Sequence, residues 1–355
     1  MTGAPALAAP DLVEVPDDVL AFSEEALRRG WSDGLPVLHP TPARVQTFIE
    51  ASGLDADRRL GLLYPSGVEC TVSLVAVNAV MAGAQAAAMP LLCAAVAGVA
   101  DPAFDLAGLN ATTASVVPAL VVSGPVRDEL QIPHRHSALG GVASPAVAIG
   151  RALRLVMRNV AGQVAGVTSE SVMGQPARVT GIVTAEWVEE SPWPSLGERR
   201  GTSGSSVTAF GVLGTANIVD GNGTDGDEIL QVIGKSLAFM GNNNMDKGSS
   251  FAHQLVALNP VWARIVAASY PRMEDVQERL AGHAKVAIEE FPATMRPILE
   301  AKGKVRAGHV HLMDSPDDVS VIVTGSQGSL HAAMLPGMSH TLPVTRSLDA
   351  GTWGQ

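Results

Sequence analysis

The sequence predicts an α/β protein of pseudo-repeated strand–helix–strand units around a shared cleft, with helical additions. Two observations predict it. The stretch IGRAL (149–153) answers IGKSL (233–237), each in helical context. Matching β-rich runs surround them: PALVVSGP (118–125) and TAFGVLGT (208–215) ahead, ARVTGIVTAE (177–186) and FAHQLVALNP (251–260) behind. VIVTG (321–325) resembles LVVSG (120–124) in the first run. The alternative is coincidence in a chain rich in Ala, Val and Gly.

Taken in order, residues 1–16 lack a basic start and a long apolar core, so they read as a flexible arm rather than a secretory signal. Residues 17–29 form an amphipathic helix, followed by turns imposed by Gly34, Pro36, Pro40 and Pro42. Between Glu69 and Asp101 there is no charged residue, a length that could cross a bilayer. Pro90 divides it, Asn78 and Gln85 interrupt it, and no Lys or Arg anchors its ends, so two buried helices, 71–84 and 89–99, are expected instead. Residues 110–115 are a polar loop. The long connection after the first unit carries charge, two tryptophans and a Gly/Ser-rich end, and a loop of that length points to function or disorder. The expected division is an N-terminal α/β lobe over 17–186, a connecting loop over 187–206 with Trp193 as a substrate contact, and a C-terminal α/β lobe over 207–355. The last lobe holds helices at 261–270 and 274–291 and a basic link, KGKVR.

Composition excludes several functions. A net charge of −11 argues against a nucleic-acid partner and an acidic membrane surface. Cys70 and Cys93 are too few for a disulfide framework and suit a reducing cytoplasm. With 46% hydrophobic, 17% charged and only 4% aromatic residues, the interior is built from Ala, Val, Leu and Met, and lean surfaces suggest a homo-oligomer.

The G-K-S at 234–236 resembles the end of a phosphate-binding loop, but that pattern needs glycine where Ile229 stands. Residues 227–240 read instead as one helix, with Ile229, Val232, Ile233, Leu237 and Met240 at helical spacing. Thr224 or Asp225 suits its N-cap, with Glu228 completing a capping box, and Gly241 suits its C-cap.

RGWSDGLPV (29–37) with its following Pro-Thr, VNAVMAG (77–83), IGRALRL (149–155), SPWPSL (191–196) and the closing IVTG…H…VTR pattern together resemble a family of uncharacterised bacterial proteins over most of the chain. Its members are partners of, or are fused to, a small domain bearing selenocysteine-Gly-Ser-Cys or Cys-Gly-Ser-Cys. The resemblance implies redox or thiol chemistry in a two-part enzyme, with a thiol-bearing protein partner. This chain lacks that motif. Ala84 stands where the family commonly has cysteine, and the loop before IGRAL lacks the usual asparagines, which puts thiol chemistry by this chain in doubt.

Candidate chemistry lies in five places. His134 and His136, and His309 and His311, each point one way on an extended chain, as metal ligation requires. No acidic third ligand stands at a diagnostic spacing, so no metal or cofactor is expected and the first pair serves acid/base work. Arg151, Arg154 and Arg158 make a basic helix stripe, either a solvated face or, through Arg151 with Lys235, an anchor for an anionic substrate. Asn242, Asn243 and Asn244 offer amides or merely cap the helix, and Lys247 follows as a further catalytic candidate. TSGSS (202–206) lacks the Gly-x-Ser-x-Gly nucleophile elbow. TGSQGSLH (324–331) is a tight turn or, through Ser326 and Gly328, a backbone cradle for carboxylate or phosphate.

These residues predict a cytoplasmic small-molecule enzyme acting on an anionic substrate by acid/base chemistry, a lyase or hydrolase cleaving a carbon–heteroatom bond. The alternatives are a half-site subunit of a two-component redox or thiol enzyme, and a histidine-ligated metalloenzyme. The expected homo-oligomer is checked by light scattering at micromolar concentration, which should give the mass of two or more chains; a strict monomer would contradict it.

Overall fold

The computed structural model describes residues 12–245, 252–327, 331–338 and 340–352. In chain order its strands are β1 (Arg59–Leu63), β2 (Val68–Thr71), β3 (Val117–Ser123), β4 (Ile182–Ala185), β5 (Ser206–Val212) and β6 (Ala216–Val219). There follow β7 (Gln254–Leu258), β8 (Lys285–Ala287), β9 (Val305–Arg306), β10 (His309–His311), β11 (Val319–Val323), β12 (His331–Leu335) and β13 (Val344–Ser347). The hairpin β1–β2 and the small sheet β8–β10–β9 are peripheral to two four-stranded sheets, β13–β5–β3–β4 and β11–β7–β12–β6.

Because side chains alternate along a strand, each sheet has two apolar faces to cover. In β3, Val117, Ala119 and Val121 point into a layer shared with Phe210 of β5, Leu255 and Ala257 of β7 and Ile322 of β11. Leu120 and Val122 point the other way, toward helices Val72–Ala82, Met89–Val99 and Ala146–Asn159. In the second sheet Val256 and Leu258 of β7 and Val321 of β11 face helices Gly226–Leu237, Pro260–Ser269 and Met273–His283. The result is four layers: helices, sheet, sheet, helices.

The uncharged segment supplies the innermost helix of this arrangement. Met89–Val99 is buried along nearly all its length, which explains why it is apolar on every side. Among the described residues no single helix is long and apolar enough to cross a membrane, and helices Ala86–Val99 and Pro102–Ala111, which together are long and apolar enough, are bent by 72°.

Both sheets show the same order of directions. β3 runs parallel to β4 and antiparallel to β5, which is antiparallel to β13. Likewise β7 is parallel to β11 and antiparallel to β12, which is antiparallel to β6. The edge strands are exchanged: β6 follows β5 in sequence but joins the other sheet, and β13 follows β12 and returns to the first. Their connections meet, Leu213 N–H donating to Pro336 O at 2.8 Å and Met338 N–H to Gly211 O at 3.0 Å.

This arrangement corrects the pairing read from sequence. The IGRAL helix lies in the crossover between parallel neighbours β3 and β4, whereas the IGKSL helix links β6 to β7, which are not neighbours. The two helices therefore do not occupy equivalent places. Their common feature is a glycine where another segment of the chain comes close: a Cβ on Gly150 would lie 2.2 Å from Thr180 O, and one on Gly234 2.7 Å from His283 Cβ. The division at 187–206 also fails to separate the sheets, since β5 and β13 complete the sheet of β3 and β4. Asp225 caps Gly226–Leu237 as expected, but the helix ends at Ala238, before Gly241. Gly234, Lys235 and Ser236 are internal to it, which removes the phosphate-loop geometry.

Gly150→Ala should destabilise the protein by about 1–3 kcal/mol in urea unfolding, because the methyl group meets a backbone carbonyl. Gly282→Ala, in an open helical position, should instead stabilise by about 0.5–1 kcal/mol.

Candidate functional site

Carboxyl ends of parallel strands joined by helical crossovers are where loops gather and ligands bind. Each sheet has one such end, and each forms a cleft.

The cleft on the second sheet, about 480 Å³, lies at the ends of β7 and β11, beside the start of β12. Its roof is the turn 136–140, which the sequence places after β3 but the structure fastens to the other sheet. Thr324 Oγ1 donates to His134 O at 3.2 Å and Gly325 N–H to the same oxygen at 3.1 Å. Leu139 adds its side chain to the intersheet layer. This brings His136 and Ser326, nearly two hundred residues apart in sequence, onto one cavity with His331, Asn217 and Asn259.

Within it, Asn259 is committed to structure: Oδ1 accepts from Trp262 N–H at 2.9 Å to cap Pro260–Ser269, and Nδ2 donates to His331 O at 2.6 Å. Asn217 Nδ2 lies 3.2 Å from His331 Nδ1. An amide nitrogen only donates, so Nδ1 accepts and a neutral His331 carries its proton on Nε2. His136 is exposed and makes no hydrogen bond among the described residues. The cleft thus offers two imidazoles with ring nitrogens left for a ligand.

The cleft on the first sheet, about 460 Å³, lies at the ends of β3 and β4. It is lined by groups that sequence reasoning missed. Glu186 is buried; its Oε2 accepts from Leu196 N–H at 2.7 Å and Ser123 Oγ–H at 3.3 Å, with Arg199 3.8 Å from Oε1. Burial pushes its carboxyl up to about 7, against the opposing Arg199 charge. Arg127 forks onto Glu189 at 2.6 and 2.9 Å and onto Asp128 at 2.8 and 2.9 Å, and its hydrogen bonds hold Glu189 down at about 2. Every one of these groups already has a protein partner. The signal for Glu186 was present: it is a carboxylate closing the apolar strand run IVTA.

Other candidates fall elsewhere. Arg151 donates to both Asp33 oxygens at 2.8 Å and to Pro36 O at 2.9 Å. Burial opposes ionisation of Asp33, but the Arg151 hydrogen bonds and the Leu35 N–H outweigh it and its pKa is lowered. Lys235 donates to Lys285 O at 2.9 Å in the other lobe. Each side chain therefore ties down a chain segment of its own lobe, and neither lines the His136 cleft. Asn242 Nδ2 donates to Leu237 O at 2.8 Å, closing the helix, and Asn244 Nδ2 to Gly337 O at 3.0 Å. Asn243 Nδ2 lies 3.8 Å from Met338 Sδ. Trp193 is a core residue of the second lobe. His134 places Nδ1 3.1 Å from Ile132 O and packs edge-on against Trp187. Lys247 and Gly328 lie outside the described residues.

Cys70 and Cys93 are fully buried, and burial pushes both thiols up to about 12. Among the described residues no three His, Cys, Asp or Glu side chains converge as metal ligands. Comparison with protein-family models, with curated proteins and with solved structures finds no match to this chain.

Glu186 generates a pH test. Its folded pKa stands above the usual 4.5, so the folded state keeps the proton longer and this group's contribution to stability falls as pH rises from 4.5 to 7, by up to about 1.4 kcal/mol per pH unit. Buried His253, held down at about 3, acts oppositely between 3 and 6.5. The stability difference between wild type and Glu186→Gln, measured by urea unfolding across this range, should therefore shift toward the variant as pH rises.

Proposed function

We propose that the protein is a small-molecule enzyme whose acid/base chemistry occurs in the cleft of His136 and His331, as a lyase or hydrolase that cleaves a carbon–heteroatom bond. The observation that carries this reading is the pair of imidazoles with uncommitted ring nitrogens on one cavity, in contrast to the self-paired groups of the other cleft. In this reaction His136 removes a proton from the substrate or from a water, and His331 Nε2–H supplies one to the leaving group. Asn217 holds the tautomer that makes His331 the donor.

The cleft has no lysine or arginine among its described lining residues, so the anionic character of the substrate rests on the imidazoles alone. A charge developing in the reaction would be met by a protonated histidine rather than by a fixed cation. A second reading, the half-site subunit, is favoured by the two buried cysteines: a thiol step would need a separate thiol-bearing protein.

Screening the purified chain against small carboxylates, esters and amides should find turnover without an added protein. His136→Asn and His331→Asn should each lower kcat/KM by about 10²–10⁴-fold while leaving the unfolding midpoint within a few degrees. Turnover that appears only with a thiol-bearing protein would favour the second reading, and full activity in both variants would overturn the first.

A further inference from the structure

The basic stripe on Ala146–Asn159 separates into different fates once packed. Arg151 finds Asp33, whereas Arg154, 6% exposed, has no carboxylate partner among the described residues. Its contacts are neutral: Nε donates to Arg178 O at 2.8 Å, Nη1 to Met157 Sδ at 2.9 Å, and Nη2 to Gln163 Oε1. Arg178 lies beside it with Nη2 donating to Ser169 Oγ at 2.8 Å, and it too forms no ion pair among the described residues. Burial, and then the Arg178 charge, pull the Arg154 pKa down to about 9, which still leaves it charged at neutral pH. Burial lowers Arg178 as well.

Two further atoms in this cluster are buried without a hydrogen-bond partner, Arg178 Nη1 and Gln163 Nε2. Both are donors. Gln163 is 5% exposed, and its amide is oriented by the bond from Arg154. Water could satisfy the donors, but a buried Arg154 beside a half-buried Arg178, with no counter-charge among the described residues, carries a desolvation cost that a neutral molecule does not offset. An oxyanion presents acceptors only and brings the missing charge.

We propose that Arg154, Arg178, Gln163 and Ser169 form a binding site for a small oxyanion, the phosphate or carboxylate group of a ligand, separate from the cleft of His136 and His331. The site lies where the chain passes from the 146–159 helix to the short helix Ala177–Thr180, and Arg178 is its half-exposed member. It does not depend on the enzymatic reading, because none of its residues lines that cleft.

Titration calorimetry of the full chain with inorganic phosphate and, separately, acetate, at ionic strength fixed with chloride, tests this. One or both should bind at one site per chain. Arg178→Gln should weaken that binding at least tenfold, Arg178→Lys should retain an intermediate affinity, and surface Arg28→Gln should change nothing. Phosphate in preference to acetate, or the reverse, identifies the oxyanion. No binding of either beyond chloride, or an unchanged affinity in Arg178→Gln with a native circular dichroism spectrum, would overturn the site. Should Arg178→Gln not fold, wild-type affinity in Arg178→Lys would do so, because the lost guanidinium fork must cost affinity.

Discussion

Everything in this molecule depends on the apolar layer between its two sheets. Phe210 and Val212 from β5, Leu255 and Ala257 from β7, and Ile322 from β11 are each at most 4% exposed, and they belong to opposite sheets. The return of β13 makes the layer obligatory, because the first sheet takes that edge strand from beyond the last strand of the second. The first sheet cannot be completed until the chain has passed through all of the second. The same apposition carries the 136–140 turn across from the first sheet to roof the cleft of the second.

RGWSDGLPV, VNAVMAG and IGRALRL meet around one helix. Asp33 of RGWSDGLPV binds Arg151 of IGRALRL, Arg158 Nε donates to Gly30 O at 3.1 Å, and Asn159 Nδ2 donates to Trp31 O at 2.9 Å and Asn78 Oδ1 at 2.8 Å. Asn78 belongs to VNAVMAG, and Leu38 N–H donates to Met81 O at 3.2 Å within the same cluster. A largely buried bidentate ion pair of this kind costs about 3–5 kcal/mol to break from one side. The motifs therefore describe how the N-terminal segment is strapped to the first helical layer, and their shared chemistry is that of a structural clamp.

The two clefts show how one topology yields unlike chemistry. At the ends of β3 and β4, carboxylates and an arginine neutralise each other and a buried glutamate hydrogen-bonds to a helix start. At the ends of β7 and β11 the corresponding space is lined by imidazoles and amides, and the amide of Asn259 is spent on capping the crossover helix. No lysine or arginine stands among that cleft's described lining residues.

The sequence by itself determined the mixed α/β class, most helix positions and the buried uncharged pair, because local periodicity, caps and Pro/Gly punctuation act within a few residues. It offered His136 and Ser326 as candidates, since both stand in loops beside strand-like runs. It also showed that G-K-S belongs inside a helix, where Ile229 takes the place of a required glycine. Only the tertiary structure decided which strands are neighbours, because IGRAL and IGKSL look alike for a local reason, a glycine at a close crossing, while the sheets are assembled from strands distant in the chain. Tertiary packing alone separated Arg151, paired with Asp33, from Arg154, buried without a carboxylate partner among the described residues, and it alone brought His331 and His136 onto one cavity. Charge pairing and cavity lining are set by which distant surfaces meet, and that is fixed by the burial of the two sheets against each other.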